Sequence, residues 1–430
     1  MRGFTPFEPA PTVAVAVSGG PDSLALALLL NDWATARGGR VLALTVDHGL
    51  RPDSAAEARW VGETLAAHGI EHRILPWQGP KPDKVRQQHA REERYDRLRA
   101  ACAEAGVLHL ALGHHRDDRA ETVLLRVRGG SGVDGLAGMA QQREMPELRL
   151  IRPLLDRPKA ALRATCDAYG VGWVDDPTNR NPDHLRVRLR QTLPALAAEG
   201  ITVGGVNVFA GAIGQARRYL EAAQNNALAY AVMLHPAGFG RLDPAALSGL
   251  PQRVARGVLA RALLAVGGQI YPPRGAALDR LLEEVLAGLP ATRTLGGCQL
   301  VPRRGRVLLV REWETVSPLP IGPGETLVFD GRFEVEVAAD APDGLRLAPI
   351  GRAGWAELTQ TWPALRDSPL PPPVRPALTG LFDGDGLACV PALSQPVGRG
   401  RGWLAQVRYA PRRALTGAAF TVAQDAVEII

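Results

Sequence analysis

Residues 12–30, TVAVAVSGGPDSLALALLL, decide the fold of this chain. The β-branched, alternating apolar run 12–17 ends abruptly in Ser18, Gly19, Gly20, Pro21, Asp22 and Ser23, and an Ala/Leu-rich helical run follows at once. Strand, turn and helix in this order make an anion site. Paired glycines let the backbone come close to a ligand, the two serines supply hydroxyl donors, and the free amides and positive dipole end of the new helix favour phosphate. A nucleotide is the natural ligand. A phosphate-loop ATPase would show GxxxxGK[ST], whose lysine reaches the terminal phosphates, but this loop has no lysine and carries Asp22 instead. The competing reading is a glycine-rich turn that only joins strand to helix.

Outward from this stretch, roughly the first 190 residues alternate strand and helix signals, which predicts α/β architecture, a doubly wound parallel sheet with helices on both faces. Strands are expected over 12–17, 41–46, 72–77, 107–113 and 148–155, and helices over 23–37, 53–68, 84–105, 117–128 and 159–169. Ligands of such sheets lie beyond the carboxyl ends of the strands. SGGPDS, DHGLR (47–51) and GHHRDD (113–118) each begin where a strand ends, so all three should line one crevice. After Gly200 the text turns helical over 207–234, 243–266 and 276–288, then strand-like over 299–311. Residues 312–324 read as a linker, and a short α+β region follows with 327–337, the Pro-rich 368–376 and 387–391. The expected division is a nucleotide-binding catalytic domain over 1–200, a helical domain over 201–315 and a small α+β domain over 325–430.

With 430 residues and 46% hydrophobic content the chain can bury a sizeable core. No apolar run approaches the roughly 18 residues that span a bilayer, and MRGFTPFEPAPT lacks a signal core, so no membrane association and a cytoplasmic location are expected. Cys102, Cys166, Cys298 and Cys389 are scattered and form no CxxC pair, which indicates neither a zinc site nor a disulfide framework. The net charge of +6 permits nucleic-acid binding, and all 50 basic residues except Lys81, Lys84 and Lys159 are arginine. Its guanidinium fork holds phosphate bidentately and stays charged at any working pH.

Several segments carry candidate chemistry. His48 and Arg51 of DHGLR lie beside the glycine turn, where they can contact nucleotide or substrate or simply complete a turn. Arg91 and Arg94 of AREERY share a helix face with Tyr95 close by, on a functional or a merely solvated helix. GHHRDDRAET packs His114, His115, Asp117, Asp118 and Glu121 into a strand end and the first helical turns; Asp118 and Glu121, at i and i+3, can face one ligand, while Asp117 is also a candidate helix N-cap. Magnesium held by carboxylates and ATP phosphates fits this set, and a carboxylate pair also grips an amine. The glycine-dense 128–139 could close over substrate. WVDDPTN leads into Arg186, Arg188 and Arg190, a basic knot suited to phosphate or to solvent. Further basic clusters stand at Arg303, Arg304 and Arg306 and at Arg408, Arg412 and Arg413.

Taken in order, SGGPDS, DHGLR, AREERY, GHHRDDRAETVLLRVRGGSGVDGLAGM, IRPLL and WVDDPTN followed by RVRLR closely resemble the tRNA(Ile)-lysidine synthetase family, one branch of the PP-loop ATP pyrophosphatases. The match covers roughly residues 12–195. Fainter likeness extends through LGGCQLVPRRGRVLLVREW and RPALTGLFDGDGLACVP to the family's accessory tRNA-binding domains. One departure is that the family usually shows Arg-Asn where this chain has Arg186-Val187. The resemblance implies a ligase that uses ATP, Mg2+ and free L-lysine on the wobble cytidine of the CAU-anticodon isoleucine tRNA. In its two steps the cytosine 2-oxygen attacks the α-phosphorus, releasing pyrophosphate, and the lysine ε-amine then displaces AMP at carbon 2. It implies that Ser18, Gly19, Gly20, Pro21, Asp22 and Ser23, with His48, bind ATP, and that Asp22 places the metal. It also implies that Asp118, Glu121 and Arg94 serve lysine, that His114 helps bind ATP, and that Arg186, Arg188, Arg190, Arg303, Arg304, Arg408 and Arg412 meet tRNA. A homodimer is compatible with the chain.

Relatives of the same superfamily set alternatives. Thiolases with cysteine or iron-sulfur chemistry need closely placed cysteines, and GMP synthetase carries a glutaminase domain ahead of the loop; neither is expected here. A non-catalytic RNA-binding protein would explain the arginines but leave the loop and the carboxylate cluster idle.

Overall fold

The computed structural model describes residues 1–4, 6–49, 53–77, 87–145, 147–175, 181, 183–393, 398–418 and 420–422; Arg51 and residues 176–179 of WVDDPTN lie outside them, as does the side chain of Arg91. Contacts divide the chain into one unit of Met1–Tyr219 with Ala418–Ile430 and a second of Leu220–Gly417.

The first unit runs β1 (Thr12–Ala16), α1 (Pro21–Thr35), β2 (Arg40–Asp47), α2 (Ser54–Ala66), β3 (Glu71–Pro76), α3 (Gln87–Glu104), β4 (His109–Leu112), α4 (Arg116–Arg128), α5 (Val133–Leu136), β5 (Gln142–Glu144), β6 (Arg149–Ile151), α6 (Lys159–Ala168) and α7 (Leu185–Ala198). The alternation of β1 feeds two cores. Val13, Val15 and Val17 pack with Leu24 and Leu28 of α1, Val61 and Leu65 of α2 and Leu162 of α6, whereas Ala14 and Ala16 meet Leu98 and Cys102 of α3. Both faces of the sheet are therefore covered, and β1 is buried on both.

Strand order is β3-β2-β1-β4-β6-β5, parallel except for the antiparallel edge strand β5. The chain fills one side from β1 outward and then restarts at β4 on the other side, with Ala16 and Leu112 in register. That reversal opens a crevice at the carboxyl ends of β1 and β4. The expected doubly wound α/β sheet is the observed one. The strand β5 goes beyond the expectation, because three polar residues carry no alternation, and the glycine-dense segment contains the helical turn α5.

The second unit adds sheet to the expected helical region. The helix α8 (Val203–Ala231) spans the divide between the units, and α9 (Pro244–Leu247), α10 (Gln252–Gly267) and α11 (Gly275–Leu286) follow. Beside them lies a five-stranded antiparallel sheet of β7 (Val232–His235), β8 (Phe239–Leu242), β9 (Arg293–Leu295), β10 (Cys298–Arg303) and β11 (Arg306–Arg311), ordered β7-β8-β11-β10-β9. Helical composition hides the first hairpin, which turns at Gly238 (φ +82°), where a Cβ would stand 2.5 Å from Phe333 Cζ. The single strand expected over 299–311 is the hairpin β10–β11, turned by Arg304 and Gly305, both at positive φ.

The expected linker 312–324 contains β12 (Leu319–Ile321), which pairs with β15 (Leu345–Pro349). β13 (Thr326–Phe329), β14 (Phe333–Val337) and β18 (Leu404–Tyr409) form a three-stranded sheet, and β12 and β15 join β16 (Thr379–Asp383) and β17 (Gly386–Cys389) in a four-stranded one beside α12 (Gly351–Thr361). Residues on either side of the expected boundary share a core: Phe239, Leu308 and Val310 pack with Ile350, Leu358 and Leu378. Arg311 adds a bidentate pair to Asp330 at 2.9 Å, and Arg332, also on Asp330, donates to Gly238 O at 3.0 Å. The observed divide accordingly falls inside α8 rather than at 200, and none falls at 315–325. Among the described residues no single helix is long and apolar enough to cross a membrane.

Candidate active site

Its own hydroxyls hold the SGGPDS turn. Ser23 Oγ accepts the Ser18 N–H at 3.1 Å and donates to Gly20 O at 3.0 Å. Gly19 adopts φ +81°, and a Cβ there would stand 3.1 Å from Val61 Cγ2. Pro21 opens α1 behind an extended Gly20, and no side chain caps the helix, so its first amides are left to a ligand. Gly113, after β4, permits the closest approach to this turn: a Cβ would lie 3.1 Å from the Asp22 carbonyl and Ser23 Cα.

A cavity of about 180 Å³ opens here, lined by Ala16, Ser18, Gly20, Asp22 and Ser23, by Arg94, Tyr95 and Leu98 of α3, and by Leu112, Gly113 and His114. Three of the sequence motifs thus share one cavity at the switch point. WVDDPTN reaches the turn as well, through the Val174 N–H donated to Gly19 O at 2.9 Å. His48 is not among the lining residues; it stands edge-on to Trp77 with ring centroids 5.8 Å apart. Burial, and then the charge of Arg94, lower its pKa.

Asp22 Oδ2 lies 3.4 Å from His115 Nε2 and 3.8 Å from Lys159 Nζ, while the buried Oδ1 has no hydrogen-bond partner among the described residues. A buried anionic oxygen without a donor is suited to a divalent cation that one carboxylate shares with phosphates, so the donor set fits magnesium.

His115, not Asp117, is the N-cap of α4. In the neutral ring its Nδ1, 3.2 Å from Asp117 N, accepts that N–H, and its own backbone N–H donates to Asp118 Oδ2 at 3.2 Å. Asp117 instead accepts the Lys159 N–H at 3.1 Å, tying α4 to α6. Burial opposes protonation of His115, but hydrogen bonds to Asp117 and Asp22 and the charges of Asp118 and Asp22 outweigh it and raise its pKa to about 9. In return His115 holds Asp117 down at about 2.

Asp118 and Glu121 share a face of α4 as expected, and Arg190 of α7 already grips them. Its Nε pairs with Glu121 Oε1, while Nη2 reaches Glu121 Oε2 at 3.1 Å and Asp118 Oδ1 at 3.5 Å. Glu121 is only 1% exposed. Arg186 and Arg188 stay exposed on α7, and Val187, where the resembled family has Asn, is buried at 6% exposure.

Sequence reasoning assigned no role to three residues. Lys159 and His115 are the cations beside Asp22. Arg152, in IRPLL, donates from Nε to His114 Nδ1 at 3.3 Å and from Nη1 to Ala140 O at 2.7 Å. With Nδ1 accepting, a neutral His114 carries its proton on Nε2, a donor for an anion. Motif order flags IRPLL, but nothing local assigns its arginine to the histidine.

In the second unit, Arg303 and Arg304 are exposed at the β10–β11 turn, and Arg306 pairs with Asp243 at 3.1 Å. Arg408 pairs with Glu334 across β14–β18, Arg413 donates to Ile270 O at 3.2 Å, and Arg412 is exposed. All four cysteines are buried, and burial pushes the Cys102 and Cys298 thiols up to about 12 and Cys389 to about 11, which disfavours thiolate chemistry.

Comparison with known proteins identifies the family. The PP-loop domain family matches residues 3–196. A tRNA(Ile)-lysidine synthase of Bradyrhizobium sp. (strain BTAi1) is 39% identical over 74% of this chain and 93% of its own length. One from Methylobacterium sp. (strain 4-46) is 44% identical over 70% and 89%, and one from Ruegeria pomeroyi 33% identical over 95% and 94%. Among solved structures, the U34-tRNA thiolase NcsA from Methanococcus maripaludis aligns at 21% identity over 49% of this chain and 73% of that one, with a TM-score of 0.42. On the strength of the sequence relatives, the chain belongs to the tRNA(Ile)-lysidine synthase family of PP-loop ligases.

Proposed function

We propose that this protein joins L-lysine to carbon 2 of the wobble cytidine in the CAU-anticodon isoleucine tRNA, with ATP and Mg2+, through an adenylated tRNA. The observation that carries the reading is the one cavity lined by the glycine turn, Arg94 and His114, with the Asp118–Glu121 pair on the helix that follows His114. In this reading the turn amides of α1 and the Ser18 and Ser23 hydroxyls cradle the phosphates, and His114 donates to them. Arg94 offers a cation to the phosphate charge or to the lysine carboxylate, and Asp118 and Glu121 receive the ε-ammonium. Asp22 would hold Mg2+, which supplies charge neutralisation at the pyrophosphate leaving group.

Adenylation is required because an oxygen bound within the base is a poor leaving group, whereas AMP is a good one. The amine must shed a proton before it attacks, and a carboxylate beside it can take that proton. The second unit would bind tRNA and tell the isoleucine tRNA from the methionine tRNA, which shares the anticodon. The reading places the reaction in the cytoplasm and is compatible with a homodimer.

Purified protein, ATP, Mg2+, labelled lysine and transcripts of both CAU tRNAs test it together. Label should enter only the isoleucine tRNA, with AMP and pyrophosphate released. AMP formed without tRNA would indicate a small-molecule adenylator, and no AMP at all a binding protein.

A further inference from the structure

A buried carboxylate stays ionised only beside a counter-charge. Glu121, at 1% exposure, has one cation within ion-pair distance among the described residues, and that cation is Arg190. The guanidinium spans both Glu121 oxygens and extends to Asp118 Oδ1 at 3.5 Å. Asp118 Oδ2, for its part, is taken by the backbone of His115. The oxygens that would receive an ammonium are therefore already serving a cation of the protein. Amine binding at this pair is a cation exchange, not entry into an open anionic pocket.

We propose that Arg190 is a specificity-determining residue of the reaction: it is the resting counter-ion of the Asp118–Glu121 pair, and it turns away alkylammonium ions that bring nothing but their charge. The inference rests on the lysine-binding role proposed above for that pair. The exchange is nearly neutral in Coulomb energy, since one monocation replaces another, and the bidentate fork of Arg190 is the better-matched partner for a carboxylate. A ligand displaces it only by adding interactions elsewhere. Lysine has an α-carboxylate and an α-amino group to spend on them, and Arg94 is the cation in the neighbouring cavity suited to the carboxylate. A diamine of the same length lacks the carboxylate. Without Arg190 the pair would keep only His115, 3.5 Å from Asp118 Oδ2, so that Glu121 would be left uncompensated and would hold a diamine on charge alone.

The test uses the full-length protein with Mg2+ and a non-hydrolysable ATP analogue, and calorimetric titration with L-lysine and with 1,5-diaminopentane. Wild-type protein should bind lysine and discriminate against the diamine. Arg190→Ala should bind the diamine about tenfold or more tightly than wild type does, narrowing the lysine-to-diamine ratio. Arg190→Gln, which keeps N–H donors for Glu121 while removing the charge, should show the same narrowing and guards against simple misfolding of the alanine variant. In the full reaction, both variants should move KM for lysine more than kcat. An unchanged lysine-to-diamine ratio in a variant that still binds the ATP analogue overturns the proposal. Glu121→Gln separates the two readings: if it binds lysine as wild type does, the lysine site itself is wrongly placed. If it loses lysine while the Arg190 variants leave selectivity unchanged, only the role of Arg190 fails.

Discussion

Asp22, Asp118 and Glu121 bring three carboxylates to the first unit, and His115, Lys159 and Arg190 meet them with three cations. Single substitutions therefore act through charge balance as much as through packing. Asp22→Asn keeps the shape of the side chain and removes the charge next to the orphaned Oδ1. Pyrophosphate release should fall by roughly a hundredfold or more, while circular dichroism shows the variant still folded; turnover at the wild-type rate would remove Asp22 from the nucleotide site. His115 makes a pH-dependent contribution to the nucleotide-free fold. Its folded pKa of about 9 exceeds the ordinary 6.5, so its contribution is complete below about pH 6.5 and is lost as pH rises through about 9. A shift of that size corresponds to about 3 kcal/mol at its full extent, which is approached below pH 6.5 and is about three-quarters present at neutral pH. In urea unfolding with EDTA and no nucleotide, wild type should exceed His115→Asn in stability at pH 7, and the gap should close by pH 10. A gap that does not change with pH would mean that the ring is not charged in the fold.

Most elements of the first unit are legible because they are bounded by strong local signals; α5, β5 and α7 are not. The apolar alternation of β1, the Pro21 start of α1 and the strand-to-motif junctions all set positions that the structure keeps within a few residues. The strand ends alone also locate Asp22 and His114 around one cavity, which Arg94 joins from α3. What local pattern does not supply is partnership across the sequence. The Arg190–Glu121 pair joins positions 69 apart, and Arg152 reaches His114 from 38 residues away. In the second unit, short strands in Ala/Leu-rich text carry no alternation, so β7, β8 and β9 read as helix or give no signal at all. The β10–β11 hairpin adds a feature that only geometry reveals: Arg304 sits at φ +50°, a left-handed position that asparagine or glycine tolerates better. Arg304→Asn should therefore raise stability by about 0.5–1 kcal/mol in urea unfolding. If it lowers stability instead, the guanidinium makes an interaction that outweighs the strain.

The whole molecule carries its +6 charge almost entirely as arginine, and the second unit is the proposed tRNA-binding part. That unit cannot be cut at the expected 315–325 boundary without splitting a core, since Phe239 and Val310 pack with Ile350 and Leu378, and Arg311 is paired with Asp330. Nor is Gly200 a clean end for the first unit, because the Thr421 hydroxyl and carbonyl bond Gln142 and Gln141 beside its sheet. Substitution in the intact chain is therefore the better probe of tRNA binding. A guanidinium that neutralises a phosphate releases a condensed counterion, so removing one such arginine should flatten the slope of log affinity against log salt by up to about one unit. The two clusters differ in what holds them at rest. Arg303 and Arg304 stand exposed at a turn, whereas Arg408 is committed to Glu334 on the adjacent strand and must leave it to reach a phosphate. Exchange of a surface carboxylate for a phosphate returns little net charge interaction. The double variant Arg303→Ser/Arg304→Ser should thus flatten the salt slope for the isoleucine tRNA more than Arg408→Ser does, with Arg412→Ser in between, and ATP binding should be unaffected in all three. Filter binding across a salt series measures each slope. If all three variants keep the wild-type slope and the preference for isoleucine over methionine tRNA, the clusters are ordinary solvated surface, and tRNA recognition belongs to other residues.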